Sequence, residues 1–373
     1  MKYAFLGEKH LFEGLHIYDK YDFKPFPVLH LDFSIIGRLR DDDFANNFLV
    51  QIQEFCRKNQ FPEQKNDVAE QFRCFLLFLK ENNQKLVLII DEYDKPLVDN
   101  LDDIPTARRN QVILRNFYEV VKSQGTDIQF TMITGITKFS QLSLFSSMNQ
   151  LRDISLDKHF ATVCGYTQQE IDSYFPKFYT NIHEEHPDKD LDFIKDNIKQ
   201  WYNGHNFGGK ERVYNPFAIL NIAQSLVLIN YWYETGNPRW LFQLMKAKNL
   251  SHNIVPMRIN AKQIRSFDIE NINFETVLFQ TGYLTIIDYD SWKHIYTLDF
   301  PNREVKENFY DGLLGEYTET KNSNVGTTID TLREAIEKND LEEVFDQINV
   351  LFASIPHQIC SSKLRFLSNN SLN

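Results

Sequence analysis

The stretch that most constrains this chain runs from Lys85 to Leu97 and reads K-L-V-L-I-I-D-E-Y-D-K-P-L. Leu86 to Ile90 is an unbroken apolar run, rich in β-branched side chains and too short for a typical globular helix. That predicts a strand buried on both faces of a parallel sheet. Asp91, Glu92 and Asp94 come where such a strand emerges, and in open α/β sheets ligands bind at that carboxyl edge. Acidic residues also leave buried strands simply because the chain is returning to solvent, so both readings stand at this level.

The flanking segments supply the rest of a sheet. Pro27 to Ser34 reads as a second buried strand with Asp32 and Ser34 at its polar exit, Pro27 being tolerable at the first position. Ile128 to Gly135 reads as a third, closing on Thr134, with Thr137 just beyond. Arg152 to Leu156 is expected to be a fourth strand. Between them, Phe44, Phe48, Leu49, Ile52, Phe55 and Cys56 recur at helical spacing, and a helix should stop before Pro62. Asp67 with Glu70 makes a start signal for a helix whose apolar stripe is Phe72, Phe75, Leu76 and Leu79. Arg108 to Lys122 is expected to be helical, with Val112, Phe117, Val120 and Val121 inward and Gly125 as its stop. Alternating strands and helices argue for βαβ units. Met1 to Lys20 is a loosely amphipathic opening, broken by Gly7 and Gly14 and unusually apolar for a terminus.

From Gly165 the pattern turns helical. Thr167 and Glu170 repeat the capping-box signature, and Leu191, Ile194, Ile198 and Trp201 share one helix face. Tyr202 to Gly209 is rich in turn residues, and Asn215-Pro216 places a cap and a first-turn proline before another helix. Lys210 comes after two glycines, but Glu211 stands where a phosphate loop needs Ser or Thr. Val277 to Asp288 and Lys293 to Asp299 predict a hairpin of winged-helix character, flanking Tyr289 to Trp292. Val305, Phe309, Leu313 and Tyr317 mark a helix, Lys321 to Thr327 a polar linker, and Leu341 to Phe352 a last helix. The Ser- and Asn-rich end reads as a disordered tail.

Composition narrows the function classes. A chain of 373 residues, 42% hydrophobic, buries a sizeable core in two or more domains. A net charge of −11 argues against a surface that wraps nucleic acid throughout, while leaving room for a local basic patch. The four cysteines form no C-x-x-C pair, which fits a reducing, cytoplasmic setting and gives neither zinc site nor disulfide framework. No apolar run approaches the roughly 20 residues of a membrane span. Arg108, Arg109, Arg115 and Lys122 share a helix and could face phosphate, though a solvated face is the simpler reading. Trp201, Trp232 and Trp240 read as core, and His159 and His205 lack ligand-spaced partners.

A hydrophobic strand ending in Asp-Glu is the Walker B pattern of P-loop ATPases. Taken with I-T-G-I-T-K-F-S, L-F-S-S-M-N-Q-L-R-D-I-S-L-D, W-Y-N-G-H-N-F, V-Y-N-P-F-A-I-L-N, L-F-Q-T-G-Y-L-T-I and P-N-R-E-V, the chain resembles the AAA-ATPase-like domain family. Members of that family are often fused to a PD-(D/E)XK nuclease-like domain. The resemblance implies an α/β fold: a P-loop NTPase (AAA-like) parallel sheet with flanking helices, then a mostly helical region with a winged-helix-like hairpin. It also implies ATP and Mg²⁺ as cofactors, with Asp91 on the metal, Glu92 as base and Thr134 as polar sensor.

The pattern departs from the family in one respect. No G-x-x-x-x-G-K-S/T loop occurs among the 373 residues, and no nuclease-like D…D/E-x-K signature is recognisable. The sequence therefore predicts an incomplete core over 1–163 that lacks the Walker A strand and loop, and a helical, winged-helix-like region over 164–320. A further helical segment should begin at 328–356, and the tail should be 357–373. Truncation at both ends is the expectation, with activity lost and the hydrophobic edge from Phe130 to Thr134 laid open. The alternative is a non-catalytic interaction or regulatory module with an unknown protein partner, homo-oligomeric or linked to nucleic acid through a lost nuclease-like domain. A metal-dependent phosphoesterase built on Asp32, Asp91, Glu92 and Asp94 is a third reading.

Overall fold

The architecture is taken from a computed structural model, which describes residues 1–36, 43–101, 103–137, 150–232, 241–242, 245–246, 255–265, 273–317 and 323–353. Two compact units divide the chain. The first comprises Met1–Ile154, Arg258–Gly282 and Tyr289–Tyr296, and the second comprises Ser155–Met257, Tyr283–Asp288 and Thr297–Asn373.

The first unit is built on three parallel strands, β1 (Val28–Asp32), β2 (Leu86–Asp91) and β3 (Ile128–Ile133), in the order β1-β2-β3. Leu86, Val87, Leu88 and Ile90 are completely buried, as an uninterrupted apolar run between two partner strands requires. The fold is therefore α/β with a parallel sheet. β2 lies between its two neighbours in the chain order, so an additional strand can join only outside β1 or β3.

Helices cover the sheet because each carries one apolar stripe. α1 is the short Lys2–Phe5 turn and α2 is Phe33–Ile36; α3 is Phe44–Lys58, α4 is Val68–Glu81, α5 is Lys95–Val98 and α6 is Ile104–Ser123. The starts of the three long ones share one device: the carboxylates of Asp43, Asp67 and Asp103 accept from the backbone N–H of Asn46, Glu70 and Thr106 respectively, meeting an orphan donor in the first turn. α4 packs against α3 and α6. Rings lock the layer together: Phe117 lies 4.7 Å from Phe72 and 5.1 Å from Phe48, which lies 5.1 Å from Phe33. Val112 departs from expectation. It is exposed, because α6 turns inward on Ala107, Leu114, Phe117 and Val121. Arg108, Arg109, Arg115 and Lys122 form the solvated face of α6.

The outer strand β3 is only half-buried, and Phe130 is exposed on it. The ring of Phe5 stacks on Phe130 at 5.1 Å, while the N–H of Phe26 donates to the Phe5 carbonyl over 2.8 Å. This explains the apolar opening of the chain: Phe5 shields part of the open side of β3. Arg152 to Leu156 does not form the fourth strand; residues 151–154 carry no regular structure and 155–156 turn.

In the second unit, Thr167 and Glu170 complete a reciprocal capping box for the helix Gln168–Tyr174. The helices Phe178–Glu185, Leu191–Tyr202 and Pro216–Ser225 bury Ile182, Ile198, Tyr202, Ile219 and Ile222 together with Tyr214. Asn203–His205 pairs antiparallel with Val213–Tyr214. Phe242, Tyr283 and Phe309 form a second ring cluster with centroids 5.6–5.8 Å apart.

The expected hairpin is present, with two changes. Thr285–Asp290 and Ile295–Asp299 are neighbouring strands, and Met257–Asn260 adds a third beside the latter. Val277 to Gln280 is helical, not extended, because Asn273 caps the helix Phe274–Gln280 through the Thr276 N–H. The expected polar linker is also shorter at its end, since Ser323–Glu337 is a helix. The expected tail and Trp240 lie outside the described residues. Among the described residues no helix is long and apolar enough to cross a membrane.

Phe117 sits where the rings under the sheet converge, so Phe117→Ala should cost about 3–5 kcal/mol of stability through lost burial and a residual cavity. Urea denaturation would read this as a lowered midpoint; an unchanged midpoint would mean that the helical layer does not depend on this ring.

Candidate active site

All three parallel strands end on the same edge, and the register decides which residues meet there. Asp32 is the partner of Asp91 across β1 and β2. On the other side the Thr134 N–H donates to the Ile90 carbonyl over 2.9 Å, and the Tyr93 N–H donates to the Thr134 carbonyl over 3.0 Å. Thr134 thus extends the ladder one residue beyond β3. Its hydroxyl reaches the Asp91 carboxylate and donates to Oδ1. The Glu92 N–H donates to the same oxygen over 3.2 Å.

Glu92 itself stands in the left-handed region, with φ +50°. For a residue with a Cβ this costs on the order of 1–3 kcal/mol, and the surrounding bonds hold it there. The Lys95 N–H closes the turn on the Glu92 carbonyl over 3.0 Å. Partial burial raises the Glu92 carboxyl above its ordinary range; Lys95 opposes this, and the charges of Asp32, Asp91 and Asp94 reinforce it. A carboxylate raised in this way is a stronger base.

Asp94 has a different occupation. It is buried, and it accepts from the Thr137 N–H and hydroxyl, both at 2.6 Å, and from the Ile136 N–H at 3.2 Å. Burial raises its carboxyl, and the bonds from Thr137 and Ile136 partly offset that. The Tyr93 hydroxyl donates to the Thr137 carbonyl over 2.6 Å. Asp94 and Tyr93 therefore tie the exit of β2 to the exit of β3. Gly135 makes the closeness feasible: a Cβ there would lie 2.5 Å from the Tyr93 ring and 2.6 Å from Asp94 Oδ1.

Asp91, Glu92 and Thr134 are thus brought together, while Thr137 and Asp94 are committed to each other. The four-carboxylate phosphoesterase site is not formed. Asp32 is engaged by its own Ser34, whose N–H and hydroxyl donate over 3.0 and 2.6 Å. Among the described residues no three His, Cys, Asp or Glu side chains gather as a metal site. The donor set present, one exposed carboxylate beside a hydroxyl, suits Mg²⁺ held largely through water and substrate phosphate, because that ion seldom takes an all-protein cage. The tie through Tyr93, Asp94 and Gly135 is not foreseen from the sequence. Its signal lies in the spacing of D-E-Y-D against T-G-I-T, which periodicity does not register.

Residues 1–145 match the family described as "Predicted AAA-ATPase". An "Uncharacterized protein in vnfD 5'region" of Azotobacter chroococcum mcd 1 is 32% identical over 364 residues, covering 95% of this chain and 67% of that protein. Among solved structures, the Aeropyrum pernix ORC2 protein in its ADPNP–ADP complexes overlaps 78% of this chain and 79% of its own at 11% identity. Its TM-score is 0.24, too low to bear on this chain. From the family match over residues 1–145, which hold the parallel sheet, and the relative that aligns with 95% of this chain and 67% of its own length, the chain belongs to the AAA-ATPase-like family.

Proposed function

We propose that the carboxyl edge of the sheet is the water-activating half of an ATP-hydrolysing site. The observation that carries this reading is the convergence of Asp91, Glu92 and Thr134 at the ends of two adjacent parallel strands. In it Asp91 would hold Mg²⁺ through water, Glu92 would take the proton of the attacking water, and Thr134 would orient that water or a γ-phosphate oxygen. The metal supplies charge neutralisation for the phosphates when bound. The Thr134 hydroxyl and the Glu92 N–H both engage Asp91 Oδ1, and in this reading its second oxygen would face the metal's water. The left-handed turn at Glu92 sets the direction in which its side chain leaves the strand.

Gripping the phosphates is a separate task. The backbone cradle, lysine and hydroxyl that do this in P-loop ATPases belong to a G-x-x-x-x-G-K-S/T sequence, which these 373 residues do not contain. Our reading is therefore that this chain by itself turns over ATP weakly or not at all. Calorimetry with Mg²⁺-ATP should give little heat, and phosphate release should stay at background. Turnover that disappears in Glu92→Gln would overturn the claim of inactivity and keep the site. Mg²⁺-dependent nucleotide binding that survives Asp91→Ala intact would remove the site.

A second reading, a partner-binding module, has one observation in its favour. Leu341 and Phe345, one turn apart on the helix Leu341–Ala353, are 68% and 63% exposed. If this apolar stripe serves binding, Phe345→Ser should weaken capture of a purified partner at least tenfold, whereas Asp91→Ala leaves it unchanged. Equal capture by both variants would discard this reading.

A further inference from the structure

The second unit contains a buried polar cluster made by two sequence motifs, W-Y-N-G-H-N-F and P-N-R-E-V. Asn203 and His205 alternate along one short strand, and Gly204 between them has φ +140°. A Cβ at Gly204 would fall 1.8 Å from the Pro301 carbonyl oxygen, so this strand lies directly against the segment that begins the helix Arg303–Tyr317. That segment carries Asn302, Glu304 and Asn308. Trp232 joins the two halves: its ring lies 5.4 Å from the His205 ring, and its backbone N–H donates to Glu304 Oε1 over 2.9 Å. Tyr283 sits edge-on to Trp232 at 6.3 Å and donates to Asn308 Oδ1 over 3.1 Å.

Five polar atoms of this cluster are buried without a protein hydrogen-bond partner: Asn203 Oδ1, His205 Nε2, Asn302 Nδ2, Glu304 Oε2 and Asn308 Nδ2. His205 and Asn302 are 8% exposed, Asn308 1% and Glu304 0%. Three of these groups are occupied at their other end, Asn308 by the Tyr283 hydroxyl. Asn302 Oδ1 accepts from the Val305 N–H at 3.0 Å, and Glu304 Oε1 accepts from the N–H groups of Tyr231 and Trp232. Rotating Asn302, Glu304 or Asn308 to pair its free atom would break those bonds. A buried polar group left unsatisfied is costly, and several in one neighbourhood compound that cost.

We infer that Asn203, His205, Asn302, Glu304 and Asn308 line an enclosed site for an uncharged ligand that both donates and accepts hydrogen bonds, water being the smallest member of that class. The mixture of atoms selects it. Two amide nitrogens donate, an amide oxygen accepts, and the imidazole is kept neutral, since burial drives its pKa down to about 4. Two amide donors beside the site disfavour a cation. The described groups include no Lys or Arg bonded to Glu304, which disfavours an anion balanced by a fixed positive charge.

Burial also raises the Glu304 carboxyl to about 7, the two backbone bonds opposing it. The groups facing it are Tyr202 and Tyr231 from their own elements; from its own helix, Arg303 is turned to the Trp201 ring at 4.6 Å and to Glu307 at 2.8 Å. No cation among these holds Glu304 ionised. The folded form therefore binds this proton more tightly than the unfolded chain, so its stabilising effect is complete below the ordinary carboxylate range and is lost as pH rises to about 7.

Two measurements test the site. A crystal structure of the whole chain at about 1.5 Å should show ordered, non-anomalous density, water or a small polar molecule, bonded to Glu304 Oε2 and at least one of the asparagine amides. Anomalous density from a metal or halide would overturn the proposal, as would direct pairing of the five atoms. In urea titrations from pH 5 to 8, the wild-type folding constant should fall by roughly a hundredfold more than that of Glu304→Gln. Equal slopes would mean that Glu304 is held ionised by a cation, and the uncharged ligand would be excluded.

Discussion

The fold depends on β2 being sandwiched between two parallel neighbours. A strand with apolar side chains on both faces has no stable position at a sheet edge, and parallel partners bring their carboxyl ends to one side. Once β1 and β3 flank it in register, Asp32, Asp91 and Thr134 must share that side whatever their roles. The polar edge is thus a consequence of a hydrophobic requirement. Its chemistry is elaborated by the turn residues that leave each strand.

That elaboration divides the carboxylates into two kinds. Asp94 is buried and fully answered by Thr137 and Ile136, which makes it a fastener between two strand exits. Asp91 is exposed and accepts from the Thr134 hydroxyl and the Glu92 N–H at one of its oxygens. Glu92 lies between these extremes, partly buried and forced into a left-handed turn. Such a turn is tolerated where neighbouring bonds over-determine it, and the Glu92 N–H to Asp91 and the Lys95 N–H to the Glu92 carbonyl supply them.

The strands of the sheet are legible because burial on both faces writes an unmistakable run of Leu, Val and Ile, and the long helices because their stripes and Asp caps recur at fixed spacing. Asp91, Glu92 and Thr134 are legible from the polar residues that close those runs. The failures have definable reasons. Arg152 to Leu156 alternates like a strand, but β-propensity is realised only where a partner strand exists to pair with. Val277 to Gln280 looks extended by composition, and the Asn273 cap overrides it in favour of a helix turn. Val112 is apolar enough to suggest an inward position, though single apolar residues are common on surfaces.

The cluster around Glu304 shows a different limit. W-Y-N-G-H-N-F and P-N-R-E-V are visible as motifs, yet nothing in either says that Gly204 exists to let one backbone lie on the other. Only the fold brings His205 near Trp232 and Trp232 onto Glu304. Asp94 and Glu304 are both buried carboxyls with raised affinity for a proton, and the difference between them is satisfaction of their second oxygen. Where both oxygens are answered, the group fastens structure. Where one is left unanswered in the same neighbourhood as other unanswered polar atoms, a bound polar molecule is the account we propose for it.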